Sequence, residues 1–144
     1  MTVRLSGRRG LPRLDRRRLR SRAQRILRSL DLPEAELSVT LVDDADMAEL
    51  NEQYRDKTGP TDVLSFSLVE GAFSERRGGL LGDVIVSLDT AQKQARRGRR
   101  SLDDEVLRLL IHGTLHLVGY DHEVSEEARV MRAEERRVLR EVTR

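Results

Sequence analysis

The sequence predicts an α+β fold in which a small mixed sheet of about four strands packs with about five helices, with the histidine-bearing helix at the centre. Segments with the two-residue period of strands alternate along the chain with segments of helical period. One helical segment, 102–118, is apolar around most of its circumference, which is typical of a helix buried inside a domain. The 144 residues contain no repeat and no linker, so one domain spanning 1–144 is expected.

The first half of the chain predicts two strands and two helices. Residues 2–6 alternate as a short strand, and 14–30 carry apolar side chains at helical spacing with arginines on the opposite side. Residues 37–42 alternate as a second strand. Asp43 or Asp44 can cap the next helix, because a carboxylate before the first turn accepts free backbone N–H groups.

The second half predicts two strands and then three helices. Residues 62–68 and 80–88 have the composition of strands and are separated by a loop, in which 76–79 is expected to be mobile. Three helical segments follow these strands, over 89–98, 102–118 and 125–142. In the last of them, Met131 is expected in the core.

The helix predicted over 102–118 has one polar stripe on an otherwise apolar surface. Steps of about 100° per residue bring a few polar side chains onto one narrow face. The stripe consists of Ser101, Glu105, Arg108, His112 and His116. Both histidines are therefore expected to face a cleft or a polar seam.

All three histidines of the chain fall within eleven residues, at His112, His116 and His122, and the chain has no cysteine. The first two are spaced i, i+4, which puts both imidazoles on one side of a helix. The third follows Gly119, which can end the helix and turn the chain back. Three imidazoles from a helix and the next turn predict an open zinc site, with a fourth position free for water. Two hydrogen-bonded core histidines are the alternative.

The spacing of the histidines and Gly119 matches a known zinc arrangement, in which a glutamate normally follows the first histidine as general base. Here that position is Gly113, which cannot accept a proton. The metal site is therefore retained while the metalloprotease interpretation loses its base. Zinc can still polarise a phosphoryl oxygen, and RNA offers its own nucleophile in the 2′-hydroxyl.

Three blocks of the sequence resemble the YbeY family of bacterial endoribonucleases, which act in rRNA maturation. The most specific is the histidine block, 112–122. The second runs from Leu50 to Phe66, and the third from Leu81 to Val84, with Gln92 and Ala95 following at the family's positions. The resemblance spans about residues 39–135. It identifies the chain as similar to a zinc-hydrolase-like endoribonuclease.

The resemblance implies one zinc ion held by His112, His116 and His122, and an RNA-cleaving cleft in which Arg55 is the key basic residue. It also implies action at the 3′ end of small-subunit (16S) rRNA and in ribosome quality control. The expected partners are therefore single-stranded rRNA and the small ribosomal subunit with its associated proteins, in the cytoplasm. No membrane and no dinucleotide partner is expected.

The residues around Arg55 leave two interpretations open. Arg55 is the only basic residue in the acidic stretch 31–56 and precedes a turn at Pro60, from which a guanidinium could reach a phosphate. The alternative is a surface role, either with the helix dipole or in an ion pair with Asp56 or Glu52. Asp121 and Glu123 flank the third histidine as candidate bases. Asp83 could either orient a ligand histidine or form a turn.

Charge and composition bear on the binding partner, the cellular compartment and the functions that stay open. The net charge is only +2, yet arginines are clustered within 1–30 and again within 93–100, a pattern compatible with nucleic acid or with a solvated surface. The absence of cysteine fits a reducing compartment, and no signal peptide or membrane span is expected. Two other functions stay open: a ribosome-assembly factor with structural zinc, and a zinc hydrolase acting on peptide or amide substrates.

Overall fold

The computed structural model of the protein describes residues 2–67 and 80–144, and it confirms the α+β prediction. Residue 68 of the predicted third strand and the loop predicted at 76–79 lie outside the described residues. The strands are β1 Thr2–Gly7, β2 Glu36–Val42, β3 Val63–Ser67 and β4 Leu80–Ser87. The helices are α1 Arg16–Ser29, α2 Asp44–Arg55, α3 Leu88–Arg97, α4 Leu102–Leu117 and α5 Ser125–Thr143.

The four strands form one mixed sheet in the order β1-β2-β4-β3. The pairs β1–β2 and β2–β4 are parallel, and β3 runs antiparallel to β4. In this order β3 is an edge strand. Within the described sheet this short strand pairs with β4, and Arg55 at the end of α2 contacts it at Ser65.

The histidine-bearing helix α4 occupies the centre of the molecule, as predicted. It packs on β3 and β4 and is flanked by α1, α3 and α5. Its apolar side chains are almost completely buried, including Leu107, Leu110, Ile111 and Leu115. Burying such residues stabilises the fold by about 1.5–3 kcal/mol each. Met131 of α5 joins the same core, as expected.

Two details of the predicted elements differ in the structure. Helix α1 begins at Arg16 rather than at residue 14, because the Asp15 side chain accepts a hydrogen bond from the backbone N–H of Arg18 and so caps the helix. Glu105, placed in the polar stripe of α4, is 5% exposed and is paired with Arg100 at 2.7 Å. The polar stripe of α4 is therefore buried at Glu105 and more exposed at its other residues.

Asp43 caps α2, and the next residue, Asp44, ties that helix to α3. The Asp44 carboxylate accepts hydrogen bonds from Ser87 Oγ at 2.7 Å and Thr90 Oγ1 at 2.5 Å, and it is paired with Lys93 at 3.2 Å. Burial raises the pKa of Asp44, but the hydrogen bonds from Thr90, Ser87 and Lys93 together lower it below its ordinary value of 3.8.

Replacing Asp44 by alanine is expected to lower the free energy of unfolding by about 2 kcal/mol at neutral pH, because hydrogen bonds to a charged group are lost. Since the folded-state pKa is depressed, this stabilisation is present above pH 3.8 and disappears as pH falls through the folded-state pKa. Urea unfolding from pH 7 down to pH 3 measures the difference. Glu49→Ala, at an exposed position of the same helix, is the control, and a gap between Asp44→Ala and wild type that persists at pH 3 would contradict the explanation.

Among the described helices, none combines the length and the apolar character needed to cross a membrane.

Candidate metal centre and basic cleft

The structure brings the three histidines together at the C-terminal end of α4. His112 and His116 lie one turn apart on the helix, and His122 returns toward them from the following turn. The ring centroids are 4.8 Å apart for His112 and His116, 5.5 Å for His112 and His122, and 4.9 Å for His116 and His122. One nitrogen from each ring can be chosen so that all three lie within 4.8 Å of one another.

Gly119 produces the turn that returns His122 to the helix. The backbone N–H of Gly119 donates to the carbonyl of His116 at 3.1 Å, and that of Tyr120 donates to the carbonyl of Leu115 at 3.0 Å. These two bonds form a Schellman motif, which requires a left-handed residue after the helix. Gly119 has φ of +105°, a conformation that favours glycine.

Tyr120 anchors the same turn on α5. Its side chain packs against the core, and its hydroxyl donates to Glu134 Oε2 at 2.8 Å. This hydrogen bond with Glu134 raises the pKa of the Tyr120 phenol above its ordinary value. The turn is thus held at Gly119 by backbone geometry and at Tyr120 by a side-chain contact, which limits the positions that His122 can take.

Glu135 of α5 stands behind the first histidine and was not identified from the sequence. His112 Nδ1 lies 3.4 Å from Glu135 Oε2. This contact with the carboxylate raises the pKa of His112 more than burial lowers it. A carboxylate on one imidazole nitrogen fixes the tautomer and leaves Nε2 available to a metal.

His116 is adapted to the neutral state in which imidazole binds metals. Burial is the main effect that lowers the pKa of His116, and the neighbouring His112 and His122 lower it further. A neutral imidazole keeps a lone pair for coordination, so no proton has to be displaced before a metal binds. The more exposed His122 completes the set from the solvent side.

The donor set fits an open zinc site. Tetrahedral coordination at about 2.1 Å places ligand nitrogens about 3.4 Å apart, which small rotations of the three rings can achieve. In the described part of the chain, no carboxylate belongs to the group formed by the histidines. Structural zinc sites usually have four protein ligands, whereas catalytic sites keep one position open. The arrangement therefore favours the open kind.

The lack of a side chain at Gly113 lets helix α4 pack closely against the sheet. A Cβ atom at this position would lie 2.8 Å from Val84 Cγ1 and 2.9 Å from Ser65 Oγ. Ser65 Oγ also donates a hydrogen bond to the Gly113 carbonyl at 3.0 Å. Helix α4 thus approaches β3 and β4 too closely for any side chain here, and a glutamate base at this position has no space.

Gly113→Ala is expected to destabilise the fold by about 1–3 kcal/mol, because overpacking forces the helix away from the sheet. The control is Gly98→Ala, whose new Cβ would meet only the guanidinium of Arg100, a flexible group that can move. We expect the control to change stability by less than about 0.5 kcal/mol. Thermal or urea unfolding of the two variants measures the difference, and equal stabilities would refute the close approach.

A cleft of about 730 Å³ opens beside the three histidines. The edge strand β3 and the end of α2 form its other wall. It is lined by Asn51, Arg55, Lys57, Thr61, Asp62, Val63, Leu64, Ser65, Phe66, Ser67, His112, His116, Leu117 and His122. The prediction that both helix histidines face a cleft is therefore confirmed, and Arg55 lies in the same cleft.

Arg55 is positioned by β3 rather than by an acidic neighbour. Its Nη2 donates to the Ser65 carbonyl at 2.5 Å, and its guanidinium lies 4.9 Å from the centroid of the Phe66 ring. Within the described residues it forms no ion pair, so the alternative pairing with Asp56 or Glu52 is not observed. One of five N–H donors is used, which leaves the others for an anion in the cleft.

Two residues that line the cleft were not identified from the sequence, and three carboxylates proposed from the sequence do not line it. Lys57 adds a second cation to the cleft, and Asp62 is its one carboxylate among the described lining residues. Asp121 lines a separate depression with Tyr120, and Glu123 is not part of the cleft. In the described part of the molecule, Asp83 forms no hydrogen bond with the histidines. Position in the sequence alone could not separate these carboxylates.

Fold and site together define a class: an α+β protein in which three imidazoles that could hold a metal ion lie in a cleft with Arg55 and Lys57. A model of the family described as "Endoribonuclease YbeY" matches residues 9–143. An endoribonuclease YbeY from Syntrophus aciditrophicus is 42% identical over 129 residues, covering 88% of this chain and 81% of the relative. Another, from an Anaeromyxobacter species, is 48% identical over 140 residues, covering 97% and 71%. The chain belongs to the YbeY endoribonuclease family.

A solved structure agrees with this assignment. The solution structure of TM1509 from Thermotoga maritima superposes with a TM-score of 0.67 at 28% sequence identity. The similarity covers 97% of this chain and 88% of that chain. The α+β architecture described above is therefore shared over almost the full length of both proteins.

Proposed function

We propose that the protein is a zinc-dependent endoribonuclease that prefers single-stranded RNA and matures the 3′ end of small-subunit (16S) rRNA. Its family membership supports the general activity, a hydrolase that cuts phosphoester bonds of RNA. The observation that carries the mechanism is the placement of three imidazoles and Arg55 in one cleft. In the proposal, His112, His116 and His122 hold the metal, and Arg55 acts on the phosphate.

The division of work follows from the chemistry of the residues. A zinc ion bound by the histidines would supply Lewis acidity toward a phosphoryl oxygen and favour ionisation of water near neutral pH. Glu135 holds the His112 ring in the orientation that presents Nε2. Arg55 forms no ion pair with a described carboxylate and can donate two parallel hydrogen bonds to phosphate oxygens, stabilising the charge that develops as the bond breaks.

The cleft is suited to an RNA backbone more than to particular bases. Among its described lining residues the cations are Arg55 and Lys57, and the one aromatic ring besides the imidazoles, that of Phe66, contacts the Arg55 guanidinium and the Tyr54 ring. Proteins that read single-stranded bases usually stack them on free aromatic rings. We therefore propose weak sequence preference and a salt-sensitive affinity. The small ribosomal subunit and its associated proteins would select the cleavage site, in the cytoplasm.

The substrate part of the proposal is tested with RNAs that differ in one property at a time. Zinc-loaded protein is incubated with a single strand, with the duplex of the same sequence, and with precursor rRNA in isolated small subunits. We expect cleavage of the single strand in many sequences, slower cleavage of the duplex, and a discrete 3′ product on the subunits. Strong discrimination among naked single strands would contradict backbone recognition. Zinc-loaded protein that cleaves RNA in none of these contexts would favour an assembly factor.

A further inference from the structure

A second basic site lies beside the histidine helix, between α4 and α5. Helices α4 and α5 enclose a groove of about 220 Å³, which we call the arginine groove. Its lining consists of Arg108, Ile111, Arg132, Glu135, Arg136 and Leu139. The groove contains three guanidiniums, one carboxylate and two apolar side chains, and it is separate from the cleft that contains Arg55.

The three arginines of the groove have no acidic partner among the described residues. Two other arginines on α5 are paired with the glutamate three residues earlier, Arg129 with Glu126 and Arg137 with Glu134, and Arg144 just after the helix is paired with Glu141. Arg140 forms no ion pair among the described residues, but it does not line the groove. The carboxylate lining the groove, Glu135, is instead engaged by His112 Nδ1 at 3.4 Å.

On α4, helical spacing would allow Arg108 to form an ion pair with Asp104 or Glu105, but both carboxylates have other partners. Asp104 is paired with Arg22 at 3.2 Å, and Glu105 with Arg100 at 2.7 Å. Both carboxylates within helical reach of Arg108 are thus occupied by other arginines. With three guanidiniums and one carboxylate in its lining, the groove is left with an excess of positive charge.

The arrangement of the charges costs stability in the absence of a ligand. Arg132 and Arg136 are spaced i, i+4 on α5, where like charges repel and destabilise a helix. Arg108 adds a third like charge from α4. An anion in the groove would remove this repulsion, and guanidiniums bind phosphate oxygens in pairs.

The arginine groove is linked to the candidate metal centre through two short connections. Arg108 precedes His112 by one turn on α4, a rise of about 6 Å along the helix axis. Glu135 lines the groove and contacts His112, which lines the cleft. A polynucleotide has a phosphate at each nucleotide, so a strand that passes the histidines can place another phosphate among the three arginines.

We propose that the arginine groove binds a backbone phosphate of the RNA strand at a distance from the bond that is cut. This inference rests on the proposed function, because it takes RNA to be the bound polymer. The groove would hold a longer strand about one helical turn from His112 along α4. All three arginines are exposed, so a strand can reach them from solvent.

The test is the affinity of a 20-nucleotide single-stranded RNA for zinc-loaded wild type and for the Arg132→Ala/Arg136→Ala variant, measured over a range of salt. The matched control is Arg17→Ala/Arg20→Ala, which removes the same charge from exposed positions of α1. Each phosphate contact contributes about 0.7 to the slope of log affinity against log salt for single strands. Because one phosphate is lost from the groove, we expect the slope to fall by about 0.7 in the groove variant, with affinity lower by about 5-fold near 0.1 M salt.

The outcomes separate this inference from the proposed function. Because affinity is measured, the groove is tested even if no RNA is cleaved. The groove variant should keep its zinc content and its cleavage of a trinucleotide, which would show that the catalytic cleft is intact. Equal losses in the groove variant and the α1 control would overturn the proposal, since general charge would explain them. Unchanged RNA affinity would also overturn it. Unchanged RNA affinity with weaker binding of a polyglutamate peptide would assign the groove to an acidic protein segment instead.

Discussion

Replacing Arg55 by alanine is expected to lower the rate of RNA cleavage by about 10²–10³-fold, the loss that follows when one preorganised donor to a developing negative charge is removed. Arg55 contacts the Ser65 carbonyl and the Phe66 ring but no histidine. Zinc content should therefore stay at the wild-type level. Single-turnover cleavage of a short single-stranded RNA, with metal analysis of the same sample, measures both quantities.

Two further variants show whether the effect belongs to the guanidinium. Arg55→Lys retains the charge but loses the paired donors, so its rate should fall between those of wild type and Arg55→Ala. Arg20→Ala removes one charge from an exposed position of α1 and should cleave at nearly the wild-type rate. If Arg55→Ala lost zinc together with activity, its role would be structural. If it kept full activity, the phosphate role would be wrong.

Replacing His112 by alanine is expected to abolish both zinc binding and cleavage. Changes to residues that only orient a metal ligand lower affinity by about 10–100-fold, so removing a ligand itself should exceed that range. His112 is half-buried and contacts Glu135, so His112→Ala also removes the histidine partner of the Glu135 carboxylate. Zinc titration against a competing chelator measures the affinity, and the RNA assay measures the activity.

The control for His112→Ala is Glu135→Gln, which keeps the three imidazoles and removes only the charge behind one of them. We expect Glu135→Gln to bind zinc about 10–100-fold more weakly and to recover cleavage when zinc is in excess. His112→Ala should stay inactive at the same zinc concentration. Wild-type zinc affinity in His112→Ala would mean that the metal lies elsewhere in the molecule.

The fold could be predicted well where local pattern decides structure. Eight elements were predicted with bounds that lie within two residues of the observed ones, except that residue 68 falls outside the described part, and for α2 only the cap was predicted. The central position of α4 followed from its nearly continuous apolar surface. The predicted start of α1 at residue 14 was wrong, because the Asp15 side chain caps the helix and Arg16 is its first residue. The strand order could not be predicted, since it depends on contacts between distant segments.

The candidate site could be predicted only where its residues are close in the chain. The convergence of His112, His116 and His122 followed from helical spacing and a glycine turn. Glu135 could not be identified, because it reaches His112 from α5, 23 residues later, and many glutamates of α5 share its sequence context. The packing role of Gly113 was equally hidden, since it depends on the approach of β3 and β4 to α4.

The central claim is that three histidines hold one zinc ion on which RNA cleavage depends. The most direct test removes metal from the wild-type protein with a chelator, confirms by spectroscopy that the fold is retained, and adds zinc in steps while RNA cleavage is followed. The account predicts no cleavage without metal and a rise in proportion to bound zinc that ends at one ion per chain. Cleavage by metal-free protein, or full occupancy of the site without cleavage of any single-stranded or ribosomal RNA, would contradict it.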